Sequence, residues 1–348
     1  MTHPAFDGVL SAARARDVGI SRWQLRSGGF ARVRHDVYVR ADRSLDTPDV
    51  RIAVVAAALP ARTVIGGWAA ARLHESRVPD RQLDLFDGCL PDVRPSSRAL
   101  PVLVTGEAAT RVRVTRGLEV FRSVVPPEER DVIAGIPVTS PARTAFDLAR
   151  LWPLVPAVVA LDRLLALGLV TIEEILGLFQ ERVRWNGVPR GRRALGLADG
   201  GAESPRETHL RLLWQAAGFG RPLCNPVVTD GGGRFVARVD LLDPAAGVVG
   251  EYDGAVHAEA CRRADDARRQ EALEDLGLVV VRAADPDVRT AAGREAWRAR
   301  LTRAYSRART RSGAWRLAPT SSRPEPLNWS MAAAKRLTWS EVAPPRST

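Results

Sequence analysis

Lysine is almost missing from this chain. Its Lys and Arg residues total 51, and Lys335 is the only lysine among them. Cations that are nearly all arginine, together with heavy Ala and Gly use, have a compositional cause in GC-rich coding. The net charge of +11 and the pI of about 10.9 therefore favour a polyanionic partner such as nucleic acid only in part. Cysteine is scarce too. Cys89, Cys224 and Cys261 are odd in number, far apart and free of any Cys-x-x-Cys spacing, so neither a zinc framework nor a disulfide framework is indicated, and a reduced cytoplasm fits. No apolar run reaches the ~18 charge-free residues of a membrane span. The opening residues MTHPAFDGVL lack the basic, apolar and cleavage regions of a signal peptide. A Gly-Ser-x-Asp motif, the mark of a nucleotidyltransferase, is missing as well.

The chain has 348 residues, 45% hydrophobic and 26% charged, which is ample for two or three ordinary globular domains. The pattern reads as an α/β multidomain protein. Residues 1–43 form a small winged-helix unit, 44–198 an α+β middle region, 199–290 a C-terminal α/β domain, and 291–348 a basic helix and disordered tail. In the first unit Ser11–Val18 is helical and Gly19 closes it. Ser21 and Gln24 make a capping box for a second, short helix that stops at Gly28-Gly29. Phe30–Arg40 alternates as a β-wing. Helix, turn, short helix and basic wing follow winged helix-turn-helix order. Arg22 and Arg26 would share a helix face and, with Arg32, Arg34 and His35 on the wing, reach phosphates or base edges. The rival reading is a packing module with solvated arginines.

In the middle region Val50–Leu59 and Val64–Leu73 read as helices. Gln82–Phe86, Val102–Thr105, Arg111–Val114 and Leu118–Arg122 read as strands. The run Gly135-Ile-Pro-Val-Thr-Ser-Pro-Ala-Arg-Thr144 leads into a helix capped by Ser140 with Pro141 at its first position. Arg143 faces two readings, a phosphate contact or a local acid. Helices follow at Val155–Leu167 and Ile172–Glu181, with a short basic one around Arg190–Leu197. His74 and Glu75 are a lone neighbouring pair and read as structural. No catalytic constellation occurs here.

The third region carries the chemistry. Ser204-Pro205-Arg206-Glu207 opens a helix to Ala217, with Glu207 closing a capping box and heading the buried stripe. Arg234–Leu242 and Val248–Tyr252 are strands joined by the turn Asp243-Pro-Ala-Ala-Gly247. Carboxylates form strands poorly, yet Asp240, Glu251 and Asp253 sit on or beside these two. If Asp243 opposes Val248, Asp240 opposes Glu251 at about 5 Å between β-carbons; a slip of one residue parts them. Paired, they make an oxygen cluster suited to Mg²⁺, or Mn²⁺ in its place. Unpaired, they are a solvated sheet face. A helix over Ala258–Leu276, ended by Gly277, leads to the buried strand Leu278–Arg282, a right-handed crossover to a parallel neighbour. Ala291–Arg311 continues as a basic helix. Beyond Ser312 the tail reads as disordered, with a helix near Met331–Leu337. Leu-x-Trp-Ser occurs at both 327–330 and 337–340.

Two resemblances gather these residues. Asp240, ten residues, then Glu251-x-Asp253-Gly254-x-x-His257 resembles the PD-(D/E)xK endonuclease-like fold, most closely the very-short-patch-repair (Vsr) branch, over roughly 204–288. Asp266, Arg268, Leu273 and Gly277 fit that branch's next helix. Asp253 holds the place of the motif's lysine. Gln24-Leu25-Arg26, Val37-Tyr38 and the 135–144 run resemble the AbiEi antitoxin family. The resemblances imply a cytoplasmic DNA-binding protein with a cognate toxin as partner and no membrane. Its restriction-endonuclease-like domain would hold Mg²⁺ on Asp240 and Glu251, with Glu207 facing the metal. Asp253 or His257 would orient the attacking water or take its proton, and Arg268 would lie along the nucleic acid. The alternative, favoured by the missing lysine, is a regulator or antitoxin whose nuclease fold only binds.

Overall fold

In the computed structural model the residues described are 8–79, 85–91, 99–107, 117–253, 260–311, 313–318 and 337–342, with the side chains of 260–265 and 339–340 outside the description. The chain divides into two compact units. The first comprises Met1–Leu90, Ser96–Leu148 and Leu169–Val183; the second comprises Pro91–Pro95, Ala149–Gly168 and Arg184–Thr348.

The first unit begins with β1 (Val9–Ser11) and α1 (Ala12–Asp17), whose N-cap Ser11 accepts the Arg14 N–H. The Ser21–Gln24 capping bonds form in both directions, at 2.8 and 3.2 Å. They do not nucleate a helix: residues 22–28 are a string of turns. Seven residues running into Gly28, at φ 94°, are too few to offset the nucleation cost. The wing does form, as β2 (Phe30–Arg34) and β3 (Val37–Arg40), and β1 adds to it in the order β1-β3-β2.

After α2 (Pro48–Ala56) comes a five-stranded sheet in the order β6-β5-β4-β8-β7. Its strands are β4 (Thr63–Gly66), β5 (Val102–Gly106), β6 (Leu118–Arg122), β7 (Arg130–Ile133) and β8 (Ile136–Thr139), and α3 (Gly67–Glu75) follows β4. The helix expected over Val64–Leu73 is thus a central strand and a helix in succession. Thr63, Val64 and Ile65 are β-branched and buried, and a short apolar run of that kind fits either state. Of the expected strands, Arg111–Val114 and most of Gln82–Phe86 lie outside the described residues. His74 is structural: its Nε2 donates to the Thr139 carbonyl at 2.8 Å, and burial lowers its pKa.

The 135–144 run ends in α4 (Pro141–Leu151), where the Ser140 hydroxyl accepts the Arg143 N–H. The Arg143 side chain is fully buried. It donates to Glu129 at 2.6 Å and to Asp147 at 2.8 Å, and Arg182 pairs with Glu129 from the other side. Local acids, not phosphate, claim Arg143. The unit closes with α6 (Ile172–Glu181), capped by a Thr171–Glu174 box.

In the second unit α5 (Leu154–Ala166), α7 (Val188–Leu197) and α8 (Pro205–Ala216) precede the strands. Asp162 on α5 is buried against Arg211 on α8 at 2.6 Å and accepts the Thr208 hydroxyl. A four-stranded sheet runs β14-β13-β12-β9, from β9 (Leu223–Cys224), β12 (Leu241–Asp243), β13 (Val248–Asp253) and β14 (Val279–Ala284). β13 and β14 are parallel with α9 (Ala260–Asp275) between them in sequence, the parallel neighbour that was expected. A second sheet runs β11-β10-β15, from β10 (Val227–Asp230), β11 (Phe235–Arg238) and β15 (Trp315–Leu317). The strand expected over Arg234–Leu242 is therefore two, parted at Val239-Asp240 into different sheets.

Alternation along the hairpin sorts the packing. Leu242 and Val249 face a core shared with Leu273 of α9. Leu241 and Gly250 face Trp214 of α8. Trp214 in turn meets Trp297 and Tyr305, both on α11 (Ala291–Ala308), which follows α10 (Asp285–Arg289). A Cβ on Gly250 would stand 2.8 Å from the Trp214 ring, so glycine here lets α8 approach the strand. The tail also carries order: β15 pairs with β10, and residues 337–342 fold back on the unit. Leu337 and Val342 are buried there, and Arg193 grips the Glu341 carboxylate with both terminal nitrogens. That grip holds Glu341 down at about 2. The segment ends in α12 (Trp339–Val342); residues 331–336, where a helix was expected, lie outside the described residues.

Candidate functional site

Asp243 opposes Val248, Leu242 opposes Val249 and Leu241 opposes Gly250. One further step puts Asp240 opposite Glu251, the register that the turn length implies. The Asp240 carboxylate accepts the Tyr252 N–H at 2.7 Å. Burial first, and the Glu251 charge with it, push the Asp240 carboxyl above its ordinary range, against the Tyr252 N–H and the Arg269 and Arg238 charges. Glu207 stands close enough for Asp240 to act on it. Burial, then that neighbouring charge, raise Glu207 as well, although the Glu203 N–H, Ser204 and Asn225 pull it down. The capping box expected at Glu207 is only half made: Ser204 Oγ accepts the Glu207 N–H at 3.2 Å, but the Glu207 carboxylate accepts the N–H of Glu203, one residue before the cap, at 2.8 Å. Capping and proximity to Asp240 coexist.

Glu251 is held differently. Arg269 of α9 donates to it at 2.6 Å, and Arg282 on β14 lies 3.9 Å away. Asp253 shares Glu251's side of the strand by alternation and is exposed at its end. His257 lies outside the described residues. Among the described residues no three His, Cys, Asp or Glu side chains gather tightly enough to hold a metal ion. The donor set is nevertheless all carboxylate oxygen, and Mg²⁺ commonly takes only one or two protein carboxylates with water and phosphate for the rest.

Two residues whose contact with the acids the sequence did not foresee support this cluster. Asn225, in the loop between β9 and β10 at φ 49°, donates its side-chain amide to Glu207, and its backbone N–H donates to the Asp240 carbonyl at 2.8 Å. Arg269 also donates to the Arg238 carbonyl at 2.6 Å, tying α9 to the strand before Asp240. Arg268, the neighbour expected along the nucleic acid, is exposed.

On the N-terminal unit, Arg22, Arg26 and Arg32 are exposed and Arg34 is half-buried. Arg22 and Arg26 sit on turns rather than on a helix, so helical spacing does not align them. Trp23 between them is 75% exposed, a large aromatic surface among arginines that the capping pattern drew attention away from.

Residues 50–182 match the family model described as the AbiEi antitoxin C-terminal domain. Two Mycobacterium tuberculosis proteins, "Uncharacterized protein MT2308" and "Uncharacterized protein Rv2248", are each 31% identical to the chain over 290 residues, which is 82% of this chain and 96% of theirs. The chain belongs to the family of these mycobacterial proteins. In this member of the family the AbiEi-type match takes in the five-stranded sheet, the 135–144 run and the Arg143 ion pairs, and it ends before the acidic cluster. No helix among the described residues is long and apolar enough to cross a membrane.

Proposed function

We propose that this protein is a DNA-binding member of the toxin–antitoxin class whose second unit hydrolyses phosphodiester bonds with Mg²⁺ or Mn²⁺. One observation carries the catalytic part. Asp240 stands opposite Glu251 by the hairpin register, and Asn225 bonds both the Glu207 carboxylate and the Asp240 carbonyl, so the three acids meet at one end of the hairpin, where burial raises Glu207 and Asp240. Acids crowded at that cost are a mark of functional sites. The order α8, antiparallel β12–β13, α9 and parallel β14 is also what the endonuclease-like resemblance calls for.

Asp240 and Glu251 would hold the ion. Bound there, Mg²⁺ supplies Lewis-acid stabilisation of the charge on the scissile phosphate. Arg269 fixes the Glu251 carboxylate, and Asn225 fixes Glu207 against the Asp240 strand. Asp253, at the end of β13, or His257, four residues further along the chain, would orient the attacking water or take its proton. The AbiEi-type domain brings a cognate toxin protein as partner, and Arg22, Arg26, Arg32 and Arg34 bring DNA. A second reading has its own support: the Arg269–Glu251 pair already neutralises one of the two ligands, as it would in a regulator that binds without cutting.

Plasmid nicking with Mg²⁺ or Mn²⁺ separates the two. Wild type should nick and Asp240→Ala should not, while His257→Ala should be slower by roughly 10²-fold. Wild-type protein that binds DNA yet never nicks with either ion leaves the regulator reading in place. For the DNA part, four phosphate contacts give a salt slope of about −3.6. Affinity should then fall roughly 10²-fold between about 50 and 200 mM salt. Deleting residues 1–43 should remove that dependence; an unchanged slope assigns the contacts elsewhere.

A further inference from the structure

A cavity of about 610 Å³ opens beside the β12–β13 turn, at the end of the hairpin away from the acids. The volume lies within the ~300–1,000 Å³ usual for small-molecule sites. Its walls are residues 244–247, Gly277, Tyr305 on α11, Arg309 and Arg311 just past the end of that helix, and Trp315 on β15. No acid lines it. Arg311 donates one nitrogen to the Leu278 carbonyl at 3.1 Å, which fixes its stem and leaves its other N–H groups. The Arg309 side chain is exposed and makes no hydrogen bond or ion pair among the described residues.

The rings are held before any ligand arrives. Trp315 packs on the Val228–Val249–Leu278 core. Tyr305 stacks on Phe219 with centroids 4.0 Å apart, and its hydroxyl donates to Asp243 at 2.6 Å. The turn's own donors are already used, because the Ala245 and Ala246 N–H groups bond to Asp243 at 3.0 and 3.2 Å. Selectivity therefore falls to the two guanidinium groups and the indole. Guanidinium forks match phosphate oxygens, and an indole face takes a planar base. Inorganic phosphate would leave the rings and most of the volume unused.

We propose that this cavity binds a nucleoside phosphate, its phosphate on Arg309 and Arg311 and its base against Trp315. The site is separate from the acidic cluster: Gly247 and Glu251 are four residues apart along the chain, about 13 Å at strand rise.

Calorimetric titration of the full chain with AMP, adenosine and inorganic phosphate, in chelator so that no divalent ion contributes, tests this. AMP should bind, and adenosine and phosphate should each bind at least about tenfold more weakly, the scale of a charged hydrogen bond. Arg309→Glu, at an exposed position, should weaken AMP by at least about tenfold with an unchanged melting temperature. Asp240→Asn should bind AMP as wild type does. Adenosine binding as well as AMP, no AMP binding at millimolar concentration, or an Arg309→Glu protein that binds AMP normally would each overturn the proposal. So would loss of AMP binding in Asp240→Asn, which would move the nucleotide to the acids.

Discussion

The first unit buries Glu129 and Asp147 against Arg143 and Arg182, two acids with two cations. The second sets Glu207, Asp240 and Glu251 near one another, and its guanidinium pairs, Arg269 at 2.6 Å and Arg282 at 3.9 Å, both fall on Glu251. Among the described residues Glu207 and Asp240 rest on N–H donors instead of cations. The balanced group is internally satisfied and has nothing left to offer a ligand. The unbalanced group holds negative charge in place, and an ion or a proton relieves it. Where carboxylates lie thus matters less than whether their partners are built in.

Breaking the balance should have the largest effect. Arg143→Ala leaves Glu129 and Asp147 short of a partner in a buried site, and truncating such a pair costs about 3–5 kcal/mol. Denaturant titration would show it; a loss below ~1 kcal/mol, as for an exposed pair, would erase the distinction drawn above. Next is Gly250→Ala, which drives a methyl into Trp214 behind the strand that carries Glu251. Overpacking of that kind costs about 1–3 kcal/mol, again read by denaturant. A neutral result would mean that α8 and β13 have room to part, and that the acids are not on a rigid support.

The smallest effect has the opposite sign. A folded-state pKa above the unfolded one means the native chain keeps its proton longer, so stability falls as pH rises from the ordinary carboxylate range through the raised value. Above that value the loss is complete. Asp240→Asn removes the titration and can still accept the Tyr252 N–H. The variant should melt above wild type at neutral pH, and its advantage should vanish in acid below the ordinary carboxylate pKa. Added Mg²⁺ should raise the wild-type melting temperature by mass action and leave the variant alone. A variant less stable than wild type at neutral pH would show that Asp240 is a structural acid like Asp147.

The hairpin register was legible because turn length and strand alternation are local: Asp243 against Val248 follows from Pro244 and Gly247. Helix starts at Ser11, Ser140 and Ser204 were legible for the same reason, since a cap is written within four residues. Asn225 and Arg269 were not. They reach the acids from a loop and from a helix brought in by the sheet, and no spacing in sequence encodes that meeting. The 22–28 segment misled in the other direction: its capping bonds are real, but a cap cannot supply the turns of helix that Gly28 cuts off. Thr63–Gly66 misled because burial on both faces removes the alternation that marks a strand. The break at Val239-Asp240 was hidden because both halves are apolar and extended, and only their partners differ.

Residues 337–342 reach their groove as part of the same chain that forms it. Leu337, Val342 and the Arg193–Glu341 pair join residues 337–342 to α5, α7 and α8. Docking within one chain is intramolecular, so no concentration of free partner sets its occupancy. A single cut anywhere between 318 and 337 would change none of those contacts but would turn the docking into a bimolecular event.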